Sequence, residues 1–100
     1  MPEISKTEEV GDLFVTETAV TIKLLPSNKE ASRNIRWFTK GTVTNVKSAA
    51  KDIAFLIGKV QGRSTVVRGV TVMTDAGASV DLEKTGLPQA IAKAGFEVLR

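Results

Sequence analysis

The sequence predicts a small α+β domain in the order β-α-β-β-α-β, a ferredoxin-like arrangement with an unusually long first helix. Three observations lead there. The runs at 13–25 and 64–74 are rich in β-branched residues, and 78–84 alternates apolar with polar side chains, both signs of strand. Lys29–Val60 separates its charged and apolar residues at a helical period. Pro88 to Gly95 carries the start and stop signals of a second, shorter helix. Four strands and two helices in this order match the split βαβ motif, with both helices on one sheet face.

Residues 1–12 are polar and acidic, with Glu3, Glu8, Glu9 and Asp12 beside Pro2 and Gly11. They are expected to form a flexible N-terminal arm, leaving 13–100 as a single α+β domain. The first strand follows at Leu13–Leu25. Phe14, Val20, Ile22 and Leu24 share one face, Thr21 and Lys23 the other. Pro26 stops it.

Ser27-Asn28-Lys29-Glu30 has the spacing of a capping box, so a helix should open there. Lys29, Arg33, Arg36, Lys40, Lys47 and Lys51 fall within about 40° of one line at roughly 100° per residue. Ala31, Ile35, Phe38, Val46, Ala49, Ile53, Leu56, Ile57 and Val60 gather opposite. Gly41-Thr42-Val43-Thr44 opposes helix, because Gly and β-branched residues are weak helix formers. Trp37–Val43 also has strand character. The shared phase on both sides favours one continuous or gently kinked helix. It would span about 48 Å at ~1.5 Å per residue, far more than a short-stranded sheet covers. Its overhanging apolar stripe would then need a second copy of the chain.

Gly58 and Gly62 close this helix, with Lys59 near the negative end of its dipole. Ser64–Thr74 is apolar on both faces, as in a central strand. Asp75-Ala76-Gly77 reads as a turn, and Ala78–Lys84 as an alternating hairpin partner. Leu87, Ala90, Ile91 and Ala94 stripe the last helix, and Phe96–Arg100 is a short final strand.

Composition narrows the chemistry. With 42% hydrophobic and 25% charged residues, the chain belongs with folded rather than disordered sequences. It contains no Cys, His or Tyr. Thiolate nucleophiles, zinc–thiolate sites and the commonest general base are therefore absent, and no enzymatic activity is expected. No cofactor, metal or small-molecule substrate is expected either. No apolar run approaches a membrane span, and Met1–Lys6 is not a secretory signal. The chain is read as soluble and intracellular, with no membrane partner.

Charge is unevenly distributed. Residues 1–28 hold two basic and five acidic side chains, 29–68 nine and two, and 69–100 three and four. The basic stripe is the sharpest functional feature. Arg33, Arg36, Lys40, Lys47 and Lys51 are expected to neutralise phosphates of DNA or RNA without reading bases. Trp37, Phe38 and Phe55 are expected at a contact between subunits. Trp37 and Phe55 also have the character of base-stacking residues. The predicted function is a small oligomerising module that binds nucleic acid electrostatically. The alternative is a structural assembly protein, such as a shell, tail or scaffold component. It would self-associate through the long helix and the acidic arm.

Weaker patterns lead nowhere further. Gly58–Thr65 has the wrong spacing for a phosphate-binding loop and runs from helix into strand. Asp75, Asp81 and Glu83 read as acids on a solvent face. Leu13-Phe14-Val15 resembles the opening motif of RNA-recognition domains over three residues. Ala78–Glu83 lacks the aromatic segment that family requires, so no family is assigned.

Overall fold

The computed structural model describes residues 7–25, 27–62, 65–74 and 82–99. In chain order it comprises β1 (Thr7–Val15), β2 (Ala19–Leu25), β3 (Glu30–Asn34), β4 (Phe38–Thr39) and β5 (Thr42–Val43). These are followed by α1 (Val46–Val60), β6 (Thr65–Thr74), the one-turn α2 (Leu82–Thr85), α3 (Leu87–Ala94) and β7 (Glu97–Val98). The α+β class holds, but the ferredoxin-like order does not. One mixed sheet runs β3-β2-β1-β6-β7, antiparallel through β1–β3 and parallel from β1 to β6 to β7.

The central strand is β1, and residues 7–12 form its first part rather than an arm. Residues 1–6 lie outside the described residues. β1 alternates: Glu9, Gly11, Leu13 and Val15 are buried, while Glu8, Val10, Asp12 and Phe14 are exposed. The single strand expected over 13–25 is a hairpin of β1 and β2. Thr16 makes the turn. Its Oγ1 accepts from the N–H of Thr18 at 3.3 Å and of Ala19 at 3.1 Å. A threonine hydroxyl thus replaces the Gly or Pro that usually marks a turn.

The 32-residue helix expected over Lys29–Val60 is replaced by strand, hairpin and helix. Ser27 does not cap. Its N–H donates to Glu9 Oε1 at 2.9 Å, and Asn28 takes the left-handed conformation at φ 63° to turn the chain into β3. Lys40 and Gly41 have φ 53° and 74°, the paired positive values of a two-residue hairpin turn. Such a pair is incompatible with a continuous right-handed helix. α1 then opens at Asn45, whose side chain accepts from the Ser48 N–H at 3.0 Å.

The inner sheet face carries Leu13, Val15, Val20, Ile22, Leu24, Val67 and Val70. They pack with Ala49, Ile53, Leu56, Ile57 and Val60 of α1 and with Leu87, Ala90 and Ile91 of α3. Burying each large side chain contributes about 1.5–3 kcal/mol. The apolar face of α1 is therefore covered within one chain and does not overhang. Residues 75–81 of the expected second hairpin lie outside the described residues. Leu82–Thr85 is helical rather than strand.

Gly11 on β1 leaves no room for a side chain beside Val70 of β6. A Cβ there would stand 2.8 Å from Val70 Cγ1 and 3.0 Å from Ile22 Cδ1. Gly11→Ala is expected to destabilise the domain by about 1–3 kcal/mol through overpacking. Urea denaturation measures this, and an unchanged midpoint would show that Val70 and Ile22 yield to a methyl group without cost.

Candidate functional site

The basic residues expected along one helix are divided among four separate stretches of the chain. Arg33 lies on β3, Arg36 in the segment after it, Lys40 at the tip of the β4–β5 hairpin, and Lys47 and Lys51 on α1. All five are exposed. Two of them meet beside the helix: Arg33 and Arg36 line one concavity with Ser48 and Asp52 of α1.

Asp52 makes that join. Its Oδ2 accepts from Trp37 Nε1 at 2.7 Å, and its Oδ1 lies 3.4 Å from Arg33 Nε. The Arg33 guanidinium also sits 4.9 Å above the Phe55 ring. Cation–π contact at such a site contributes about 0.5–1 kcal/mol. Further along, Lys29 Nζ comes within 3.4 Å of where a Cβ on Gly62 would stand, past the end of α1. The strand edge and the helix therefore form one seam, with Lys29 and Arg33 from the strand side facing the helix side.

On α1 itself, Lys47, Lys51, Phe55 and Lys59 are all exposed and fall at successive i, i+4 positions. They form one line of three ammonium groups around an aromatic ring. The helix has a single acid, Asp52, and that carboxylate is engaged by Trp37 and Arg33. At the N-terminal end of α1 the seam opens into a concavity of about 540 Å³. Arg33, Arg36, Trp37, Asn45, Ser48 and Asp52 are among its lining residues. The positive end of the α1 dipole lies there too.

The three aromatic residues divide. Trp37 is 4% exposed and Phe38 1% exposed, so both belong to the core of this chain and not to a contact between subunits. Phe38 pairs with Val43 across the small hairpin, which folds its ring inward. Phe55, 53% exposed, remains at the surface. Lys40 faces elsewhere: its backbone N–H donates to Glu17 Oε2 at 2.6 Å, in the β1–β2 turn. Lys40 therefore belongs to the hairpin tip, not to the seam. Sequence reasoning missed Lys59 and Asp52 as members of the site. Lys59 was legible as the residue four after Phe55. The role of Asp52 depends on the return of β3, which no local pattern signals.

Other candidate chemistries do not assemble. Gly58–Thr65 leaves α1 and enters β6, with residues 63–64 outside the described residues, so its helix presents a C-terminus. Asp75 and Asp81 also lie outside them. Among the described residues, no group of three or more His, Cys, Asp or Glu side chains gathers to hold a metal. No described helix is long and apolar enough to cross a membrane.

No protein-family model matches the chain, and no curated protein matches it. Among solved structures, the chain is similar to ethanolamine utilization protein EutJ from Carboxydothermus hydrogenoformans, with a TM-score of 0.66 at 12% sequence identity. The match covers 88% of this chain and 34% of that one, so the chain spans about a third of that protein's length. At this identity the similarity concerns the fold alone.

The Asp52 contacts differ in strength. Trp37→Phe removes a buried donor to a carboxylate and is expected to cost about 1–3 kcal/mol. Arg33→Ala should cost below about 1 kcal/mol, because the side chain is 47% exposed and its ion pair is solvent-screened. Denaturant titration of both variants checks the order, and a larger loss for Arg33→Ala would make the ion pair the anchor instead.

Proposed function

We propose that this domain is a non-enzymatic module that binds single-stranded nucleic acid through the seam between β3 and α1. The observation that carries the reading is the line Lys47, Lys51, Phe55 and Lys59 on α1, flanked by Arg33 and Arg36. Cations one and two turns apart on one helix face can follow a phosphate backbone. An exposed aromatic ring between them offers a platform on which a base stacks without sequence preference. The ring already carries a guanidinium on one side, so a base would enter from another. Arg36 and the N-terminal end of α1 border the concavity, which suits a phosphate turning away from the helix.

Charge balance supports this reading over an ordinary solvated face. The line contains no acid, and the nearby carboxylate of Asp52 is committed to Trp37 and Arg33. The assembly reading loses both of its devices. The helix has 15 residues and is covered on its apolar side, and residues 7–12 of the acidic segment are built into β1.

Fluorescence anisotropy with labelled single-stranded oligonucleotides tests the reading. With about five cations engaged, the logarithm of affinity should fall against log salt with a slope of about −3.5. Phe55→Ala is expected to weaken binding by about 1–3 kcal/mol, and Lys51→Ala should make the slope shallower. Lys93→Ala, on α3, should change little. Absence of binding at low salt, or equal losses from Lys93→Ala and Lys51→Ala, would refute the assignment.

A further inference from the structure

The outer face of the sheet carries an inference independent of the basic seam. α1 and α3 both lie on the inner face. Among the described residues no helix covers the other side. Purely antiparallel sheets tolerate a solvated face, but parallel strands are almost always covered on both. Here β1, β6 and β7 are parallel. The face they share with β2 exposes Val10 at 39%, Phe14 at 40%, Leu25 at 38% and Met73 at 62%.

The strand register arranges this face in three rungs. Met73, Phe14 and Thr21 form the first, aligned across β6, β1 and β2. Thr71, Asp12, Lys23 and Glu30 form the second, reaching β3. Val10 and Leu25 form the third. A polar rung thus lies between two apolar ones. Within it Asp12 on β1 and Lys23 on β2 are direct cross-strand neighbours of opposite charge. Asp12 also accepts a hydrogen bond from the Thr71 hydroxyl. A shallow hollow of about 220 Å³ lies on this face, lined by Asp12, Phe14, Thr21, Lys23, Glu30 and Met73 among others.

We propose that this face is the contact surface of a two-fold homodimer, and that the occupant is a second copy of this chain. The pattern is self-complementary under one particular rotation. An axis parallel to the strands, between β1 and β2, lays Asp12 opposite Lys23 of the partner subunit and Lys23 opposite the partner's Asp12. The same axis sets Val10 opposite the partner's Leu25 and brings the two Phe14 rings side by side. An axis across the strands would instead oppose Asp12 to the partner's Asp12, which charge repulsion disfavours. Isologous contacts require this reciprocity, and two sheets pack face to face at about 10 Å with their strands roughly aligned. Four strands at ~4.8 Å spacing and three rungs give a footprint of roughly 20 by 20 Å. At about 400 Å² per partner this is smaller than a stable specific interface, so the dimer is a weak one and its association should depend visibly on concentration.

Sedimentation velocity across a hundredfold range of protein concentration is the test. The wild-type chain should shift from monomer toward dimer. Asp12→Lys and Lys23→Asp should each weaken self-association at least tenfold, since each makes the charged rung of one sign against itself. Mixed in equal amounts, the two variants should form a heterodimer, because every opposed pair is again complementary. Circular dichroism of each variant alone establishes that it is folded. A wild-type chain that stays monomeric at the highest concentration overturns the proposal. So do single variants that dimerise undiminished, or a mixture that associates no better than its components.

Discussion

The carboxylate of Asp52 is the constraint on which the rest of this arrangement depends. It sits on the side of α1 facing β3, 17% exposed, and receives the Trp37 indole N–H at 2.7 Å. A hydrogen bond to a charged group contributes about 1.5–3 kcal/mol, and leaving either partner alone at such a site costs a comparable amount. Trp37 is itself almost wholly buried, so the bond fixes a large apolar body as well as a polar tip. The chain between β3 and the small hairpin is thereby held against the helix. Arg33 uses the second carboxylate oxygen and covers Phe55, which adds orientation more than energy.

Once β3 is pinned in this way, charge follows topology. Lys29, Arg33 and Arg36 approach from the strand side, and Lys47, Lys51 and Lys59 stand on the helix. The one acid on α1 is already matched. The outer sheet face is different in kind: apolar rungs alternate with a rung of mixed sign. The two surfaces are built by different residues, so a partner on one need not displace a partner on the other.

Much of the sequence was legible where a single period dominated. The apolar run of β6 and the Pro-to-Gly frame of α3 are close to what the residues predicted. The C-terminal half of the supposed long helix is a real helix, with the expected apolar face of Ala49, Ile53, Leu56, Ile57 and Val60. The continuous helix expected over 29–60 rests on spacing alone. Lys29 and Arg33 are four apart, which keeps two residues on one face of a helix and equally on one face of a strand. Alignment with Lys47 and Lys51 therefore carried less information than it suggested. The positive φ at Lys40 and Gly41 was foreshadowed only by the glycine. The acidic segment misled for another reason. Glu9 is 3% exposed and is used to bind the Ser27 amide, a role that only the pairing of β1 inside the sheet makes sense of. Of the candidate site, the identities of the cations were readable but their grouping was not. It arises from the return of β3 along α1.

That return can be measured directly. The chain has no cysteine, so Lys29→Cys and Lys59→Cys together give a clean pair of spin-labelling sites for pulsed electron–electron distance measurement. A continuous helix would separate these positions by about 45 Å at ~1.5 Å per residue. With Lys29 folded back beside Gly62, the distance distribution should be a single population centred well below half that span. A population centred near the helical distance would contradict the seam, and with it the basic surface assigned to binding.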